Sequence, residues 1–449
     1  MVKIERKLNE FLKRRLFSRI KSPNSRLVDY LENTSWLLLE RIVRMVIVLF
    51  IGVLVARYLG PEKFGLLSYL VSFVGLFSMV AGLGLDQILV RNLVKGEINK
   101  DTLLGTTYFL KSLGASGAVL LILSLSYLLS IDLEIRIMIL IISATMIFQA
   151  FDVIDLFFQS EVESKFVVFI QFINLLISST LKLAFIYFQA PLIWFIWLIL
   201  FESLIIATGL LVIYKFKNFS IYKWRYNKNI AITLLKDAWP LILSGIAISV
   251  YMKIDQVMLK EMLNEEAVGN YAVAVKLSEA WYFIPSVITS SLFPAIINAK
   301  KVSESFYYER IQKLYYLMIL PTILISIITS IGADKIVTIL FGTAYKEAGP
   351  VLTIHIWAGI FIAFGFVNGK WIIAENLTKI ALMRSVLGAT TNVIANLFLI
   401  PLWGIKGAAV ATLIALAFST HFAFIINKKL RVIFYQQCKS LVSFYRLVK

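Results

Sequence analysis

The chain has 449 residues, of which 59% are hydrophobic and 16% are charged, and its formal net charge is +18. This composition excludes an ordinary water-soluble globular protein, in which about a quarter of the residues are charged. One cysteine excludes an internal disulfide, and the only histidines, His355 and His421, lack a Cys or carboxylate at ligand spacing, so we expect no metal and no cofactor.

Apolar stretches follow one another along nearly the whole chain. A helix needs about 20 mainly apolar residues to cross the hydrocarbon core of a bilayer, because lipid offers no partner for exposed backbone amides. We predict an all-α membrane protein with about twelve transmembrane helices and no signal peptide ahead of the first. The predicted spans are residues 36–58, 64–85, 103–129, 135–158, 166–189, 192–214, 236–259, 270–297, 313–333, 349–371, 380–402 and 404–427.

Basic residues are unevenly divided between the two sides of these spans. The even-numbered connections and the two ends of the chain hold 32 of the 45 Lys and Arg residues, whereas the odd-numbered connections hold seven. This is the positive-inside pattern, so both termini are predicted to be cytoplasmic. Topology and anionic lipid account for the surplus charge, and no nucleic-acid partner is expected.

The most polar interruption between spans falls near the middle of the chain. It divides the sequence into a basic amphipathic cytoplasmic segment (residues 1–35), a six-helix lobe (36–214), a cytoplasmic linker (215–235), a second six-helix lobe (236–427) and a basic cytoplasmic tail (428–449). The basic amphipathic ends are expected to lie on the anionic leaflet of the membrane.

A weak internal repeat supports the division into two halves. Setting Gly65 on Gly269 aligns LGPEKFGLLS with LNEEAVGNYA and places Glu62 on Glu266, and FFQSEVESK similarly aligns with WIIAENLTK. In the first segment, the prolyl and glycyl residues predict a tight turn between two spans. The order and predicted side of both matches favour two parallel repeats, related by an axis along the membrane normal.

Several cations lie inside the predicted spans, where a charge costs several kcal/mol, about 2.5–3.5 on insertion scales. Arg44 and Lys111 are predicted in the cytoplasmic half of the bilayer and the others in the outer half, so two tiers of cations suit an anionic cargo. The alternative is neutralisation by neighbours, such as Glu279 beside Lys276. The candidate substrate-binding residues are Arg44, Lys111, Lys182, Lys253 and Lys276.

Two carboxylates, Asp152 and Asp155, share one face near the cytoplasmic end of the fourth span. Such a pair can relay protons or hold Na⁺ and so couple transport to an ion gradient, although solvated charges at a helix end are the simpler interpretation. An acid–base pair for hydrolysis would need a nucleophile or a metal constellation beside it, and the sequence shows neither.

Four segments in order resemble the polysaccharide-transporter branch of the multidrug/oligosaccharidyl-lipid/polysaccharide (MOP) exporters, which includes O-antigen repeat-unit flippases for lipopolysaccharide. They are ARYLGPEKFGLLSYLVSFVGLF, GLGLDQILVR, KIDQVMLKEMLNEEAVGNYAVAVKLSEAWYFIP and IPLWGIKGAAVATLI. The resemblance covers about residues 36–427. Asp86 and Asp255 fit the family pattern, and helix-end structure explains them equally well.

The resemblance implies a transporter rather than an enzyme, with two six-helix lobes that form a V around a cavity in the cell membrane. It implies a flippase that moves a polyprenyl-diphosphate-linked oligosaccharide from the cytoplasmic to the outer leaflet by alternating access. The five cations would then hold the diphosphate, H⁺ or Na⁺ would be the coupling ion, and a polysaccharide polymerase would be a partner. A multidrug antiporter and a flippase for the peptidoglycan precursor are the alternatives.

Overall fold

In a computed structural model of the protein, residues 25–375, 377–426 and 428–442 are described, and these are α-helical with short turns and no strand. The chain forms two compact units, residues 1–48 and residues 49–449. Most of the basic N-terminal segment lies outside the described residues. The all-helical membrane fold predicted from the sequence is confirmed.

The described part of the first half contains nine α-helices. They are α1 (Ser25–Gly75), α2 (Ser78–Gly82), α3 (Asp86–Lys95), α4 (Lys100–Leu128), α5 (Leu133–Ser143), α6 (Thr145–Gln149), α7 (Val153–Ser160), α8 (Lys165–Tyr187) and α9 (Leu192–Phe216). A 3-10 turn at Ala150–Asp152 joins α6 to α7, and another at Ile221–Lys223 follows α9.

The second half contains the remaining described helices. They are α10 (Lys228–Met262), α11 (Glu265–Glu279), α12 (Phe283–Val302), α13 (Glu304–Phe341), α14 (Ala348–His355), α15 (Ala358–Ala374), α16 (Thr378–Trp403), α17 (Ile405–Thr420) and α18 (Arg431–Val442). Two further 3-10 turns lie at Thr343–Tyr345 and Phe422–Ile425.

Ten runs of helix among the described residues are long and apolar enough to cross a membrane, and a bent pair from Glu265 to Val302 adds an eleventh. One of the ten, Arg44–Lys95, has 52 residues. At about 1.5 Å per residue it is more than twice as long as the hydrocarbon core is thick, so it holds two crossings. The described residues therefore accommodate the twelve predicted spans.

The break between these two crossings lies at Gly60, which has a φ of 72° inside α1. A residue with a side chain rarely adopts this left-handed backbone, whereas glycine does so at little cost. Pro61 follows directly and tolerates the loss of its N–H at the start of the next helical stretch. The sequence prediction of a turn at this Gly-Pro is thus confirmed.

Side-chain caps define where four of the long helices begin. Asn99, Asn227, Asn264 and Ser303 each accept a hydrogen bond from a backbone N–H in the first turn of the helix that follows. These bonds satisfy donors that have no partner within the helix. The caps fix the first residues of α4, α10, α11 and α13, and hence the depth of the charged residues further along them.

The two hairpins that the sequence aligns contact each other reciprocally. A Cβ atom on Gly65 would overlap the carbonyl oxygen of Glu265, and a Cβ on Gly269 would overlap that of Pro61. Under the alignment of Gly65 on Gly269, Pro61 corresponds to Glu265, so each contact is the symmetry mate of the other. A pseudo-twofold axis between parallel repeats produces this arrangement.

Helix α18, in the basic tail, packs into the second half. Ile433 and Gln437 are fully buried, and the Gln437 side chain donates to the Asn368 carbonyl group at 2.9 Å and pairs with His421 Nδ1 at 2.6 Å. The tail was predicted to lie on the membrane surface through its apolar face. In the structure, part of that face is instead integrated with the helical bundle.

Candidate functional site

A cavity of about 440 Å³ lies between the first half and α10, at the end of the molecule that the charge pattern predicts to be cytoplasmic. Its walls come from α2, the start of α3, α4, the 3-10 turn before α7, and α10. The charged groups lining it are Asp86, Lys111 and Asp152. A polar cavity of this size between helices of a bundle is a candidate ligand site.

Lys111 enters this cavity already paired. Its Nζ lies 2.6 Å from an Asp86 carboxylate oxygen, and its side chain is 5% exposed against 61% for Asp86. Asp152 and Asp155 are close enough to interact electrostatically with both groups. The cytoplasmic tier is therefore a mixed cluster with more acid than base, rather than the free cation expected from the sequence.

The opposite end of the bundle is closed by contacts between the two halves. Besides the reciprocal glycines, the Tyr345 hydroxyl donates to the Ala56 carbonyl at 2.7 Å, and Ser72 donates to Gln256 at 2.9 Å. The Tyr69 hydroxyl donates to a carboxylate further out on α10. These contacts join the two halves at the end of the bundle opposite the cavity.

Lys276 lies between the two halves, near this closed end. Its Nζ packs against Gly52 of α1, where even a Cβ atom would collide with the ammonium group, and it lies 5.9 Å from the centre of the Phe64 ring. Gly52 is eight residues before Gly60, about 12 Å along the helix. Lys276 makes no ion pair within the described residues, and the neutralisation by Glu279 considered from the sequence does not occur.

Lys253 and Lys182 complete the outer tier. The Lys253 side-chain stem lies beside Gly75 of the first half, and its ammonium group interacts with Glu279 only at a distance, without an ion-pair contact among the described residues. Lys182 forms an ion pair with Glu202 at 2.7 Å, and its charge also repels that of Lys276. Lys182 and Lys276, from different halves, are therefore close enough to interact electrostatically.

The remaining candidate, Arg44, lies in α1 within the first compact unit and is half-buried. Its predicted role, like that of the four lysines, stays a prediction.

Sequence reasoning missed a buried polar cluster around Asp255. This residue is 4% exposed and lies seven residues before the end of α10, so the helix-end explanation for it is wrong. Its carboxylate accepts hydrogen bonds from Tyr271 at 2.6 Å, from Asn396 at 2.6 Å and from Thr412. No described cation pairs with it, and the buried Asn396 Oδ1 has no hydrogen-bond partner.

The Asp86–Lys111 pair leads to a prediction about stability. We expect Asp86→Asn to destabilise the protein by about 1–2 kcal/mol, because it leaves a buried ammonium group short of its nearest partner. Lys111→Gln should cost less, since the exposed Asp86 carboxylate remains solvated. Thermal unfolding in detergent measures both, and the double variant should recover most of the loss. Equal destabilisation by the two single variants would contradict the assigned geometry.

Among the described residues, no group of three or more His, Cys, Asp or Glu side chains is placed to hold a metal ion. The charged residues instead line a cavity between two related halves that pack together at one end. This fold defines the class of the protein as a multi-pass helical membrane protein.

Comparison with known proteins identifies the family. The profile of the family described as "Polysaccharide biosynthesis protein" matches residues 30–300, more than half of the chain. The chain belongs to that family, and the resemblance stated from the sequence motifs is confirmed.

Individual relatives agree with this result. The chain is 27% identical over 183 residues to a probable low-salt glycan biosynthesis flippase, Agl15, of Haloferax volcanii, a match that covers 40% of this chain and 38% of that one. Among solved structures, lipid II flippase MurJ in an inward closed conformation superposes with a TM-score of 0.69 at 15% identity, over 91% of each chain. An inward-facing MATE multidrug transporter of the MOP superfamily gives 0.67 at 13% identity, over 90% of this chain and 96% of that one.

Proposed function

We propose that the protein is a flippase that moves a polyprenyl-diphosphate-linked oligosaccharide from the cytoplasmic to the outer leaflet of the cell membrane by alternating access. The single observation that carries this proposal is the position of Lys253 and Lys276. The Lys276 ammonium group packs against Gly52 of the first half and the Lys253 side-chain stem lies beside Gly75, and neither lysine forms an ion pair within the described residues.

Buried cations without counter-ions are costly in a membrane, so their presence calls for a purpose. A diphosphate supplies oxygen acceptors and negative charge for both lysines, and charge-assisted hydrogen bonds of this kind are about twice as strong as neutral ones. The sugars would occupy the hydrated space between the halves while the prenyl chain stays in lipid.

The mixed cytoplasmic cluster gives Lys111 a different role from the outer lysines. Because Asp86 already neutralises it, Lys111 is poised to exchange that partner for the phosphate of an incoming cargo. The cargo would then pass from a nearly neutral entrance to the unpaired lysines further along the path.

Two acidic sites are candidates for ion coupling. Asp152 and Asp155, beside the cavity, were the candidates from sequence. Asp255 is a stronger candidate for ion coupling, because oxygen atoms surround its buried carboxylate. They are the hydroxyls of Thr412 and Tyr271 and the side-chain oxygen of Asn396, which has no hydrogen-bond partner. Such hard oxygen donors suit H⁺ or Na⁺. Binding of the cation would neutralise a charge that the surrounding residues leave unpaired.

The alternatives share the fold, so the fold does not choose between them. A multidrug antiporter has no use for two uncompensated outer lysines, whereas a peptidoglycan-precursor flippase would use them in the same way and differ in the sugars. Family membership and the archaeal glycan-flippase relative favour a surface glycan. The proposed cargo class includes O-antigen-type repeat units, and a polysaccharide polymerase would consume it on the outer side.

Reconstitution tests the proposal. Purified protein in liposomes should move a polyprenyl diphosphate carrying a fluorescent disaccharide out of reach of a membrane-impermeant quencher added outside. An imposed Na⁺ or H⁺ gradient should accelerate this movement, and Asp255→Asn should abolish the acceleration while leaving downhill exchange. Transport of a cationic dye without movement of the lipid-linked sugar would instead identify a drug antiporter and overturn the proposal.

A further inference from the structure

The predicted linker between the halves is held against the first half by specific contacts. The Arg225 backbone N–H donates to the Asp101 carbonyl at 3.3 Å, and the Thr106 hydroxyl accepts from the Asn227 N–H at 3.0 Å. A Cβ atom on Gly105 would lie 2.6 Å from the Arg225 nitrogen, so only glycine permits this close approach. The linker therefore follows a fixed course along α4.

Between this linker and α4 lies a second open pocket, with a volume of about 340 Å³. Aromatic rings make most of its wall, and several of them touch: Phe109 and Tyr226 centroids are 4.7 Å apart, and Tyr108 lies 5.0 Å from Phe151. We call it the linker pocket. Its lining residues are Gly105, Tyr108, Phe109, Phe151, Ile221, Trp224, Arg225 and Tyr226.

Polar groups stand at the open side of the linker pocket. Arg225 and Tyr226 are exposed, and no described side chain pairs with the Arg225 guanidinium group. Residues 215–229 carry several basic residues and no acidic one, so the mouth of the pocket is positive. A ligand that fits has a flat apolar face for the rings, hydroxyl or acetamido groups for the rim, and a negative charge nearby.

The linker pocket shares two walls with the main cavity. Phe151 lines the pocket, while its neighbours in the chain, Ala150 and Asp152, line the cavity. On α4, Tyr108 of the pocket precedes Lys111 of the cavity by about one helical turn. The linker pocket and the main cavity are therefore neighbours on either side of these residues.

We propose that the linker pocket binds a sugar ring of the lipid-linked oligosaccharide in the cytoplasmic leaflet, before the diphosphate reaches the main cavity. This inference rests on the proposed function. The C–H face of a pyranose packs on aromatic rings, its hydroxyl groups accept hydrogen bonds from Arg225, and the adjacent diphosphate lies beside the basic linker. An acyl or prenyl chain would leave that positive rim without a partner.

Photo-crosslinking identifies which part of the cargo occupies the pocket. A benzophenone side chain is introduced in place of Tyr226 and, as a control, in place of Tyr222, which is 95% exposed in the same linker. The full-length protein is irradiated with lipid-linked oligosaccharide extracted from source cells fed a radioactive sugar. Mild acid then cleaves the bond between sugar and diphosphate.

We expect label to remain on the Tyr226 derivative after acid treatment and to be several-fold lower on the Tyr222 derivative. Label that acid removes would show attachment through the lipid or phosphate and would overturn the inference, as would equal labelling at both positions. If reconstituted protein flips the lipid-linked sugar but Tyr226 gives no sugar adduct, the pocket assignment alone is wrong. If flipping itself fails, the proposed function is wrong.

Kinetics provide a second readout. Arg225→Gln and Tyr226→Leu should each raise the KM for the lipid-linked oligosaccharide several-fold and leave the maximal rate unchanged, because the pocket captures cargo and takes no part in the later steps. Tyr222→Leu should change neither. A fall in maximal rate with unchanged KM would contradict capture at this site.

Discussion

Replacing Lys276 by glutamine is expected to slow translocation of lipid-linked oligosaccharide by about 10- to 100-fold, the loss of one charge-assisted hydrogen bond of roughly 1.5–3 kcal/mol. The ammonium group lies against Gly52 and has no carboxylate partner among the described residues, so its charge is available to a ligand. Glutamine keeps most of the side-chain length and removes the charge.

The stability of Lys276→Gln is not expected to fall together with its transport rate. Removing an unpaired, desolvated charge is expected to leave the free energy of unfolding unchanged or increased, since a functional site is commonly held at a cost in stability. Lys406→Gln, at an exposed lysine in the first turn of α17, is the matched control and should alter neither property. Flipping in liposomes measures the transport rate of each variant, and thermal unfolding in detergent measures its stability. A Lys276→Gln variant that flips at the parental rate would contradict a role in cargo binding.

Replacing Gly65 by alanine is expected to open the closed end of the bundle. The added methyl group would overlap the backbone of Glu265, and backbone cannot rotate away as a side chain can. Overpacking of this kind costs about 1–3 kcal/mol, which shifts the ratio of inward-facing to outward-facing molecules by roughly 5- to 150-fold. Gly269→Ala should act in the same way, because it overlaps Pro61 at the symmetry-related position.

Spin-label distances across the contact measure this shift. Glu62 and Glu266 are exposed, symmetry-related positions on the two hairpins and accept labels once Cys438, the sole cysteine, is replaced by serine. In the parent protein, most molecules should show a short distance between the two labels. In Gly65→Ala, the fraction of molecules with that short distance should fall. Gly117→Ala, at a helical glycine whose Cβ would meet no atom within 4 Å, is the control. Unchanged distances in Gly65→Ala would show that the hairpins do not form the gate.

The parts of the fold that depend on local chemistry were predictable from sequence. The lengths of the apolar stretches predicted the spans, and the Gly60–Pro61 dipeptide predicted the turn. The alignment of Gly65 on Gly269 predicted two parallel repeats, and the structure adds that these equivalent positions contact each other.

Long-range pairing was not predictable. Lys111 forms an ion pair with Asp86 on another helix, whereas Lys276 forms none with Glu279 one turn away on its own helix. Interhelical packing, rather than spacing in the sequence, decides which charged side chains pair. Asp255 looked like a helix-end residue because its polar partners, Asn396 and Thr412, come from helices far along the chain. A periodic pattern contains no information about such neighbours.

The central claim is that the unpaired outer lysines bind the diphosphate of the cargo. Its most direct test is a titration of the purified protein with farnesyl diphosphate, comparing the parent, the Lys253→Gln/Lys276→Gln double variant and Lys406→Gln. We predict that the double variant loses affinity at least tenfold, that the loss shrinks at high salt, and that Lys406→Gln binds like the parent. Equal affinity in all three proteins would contradict the account.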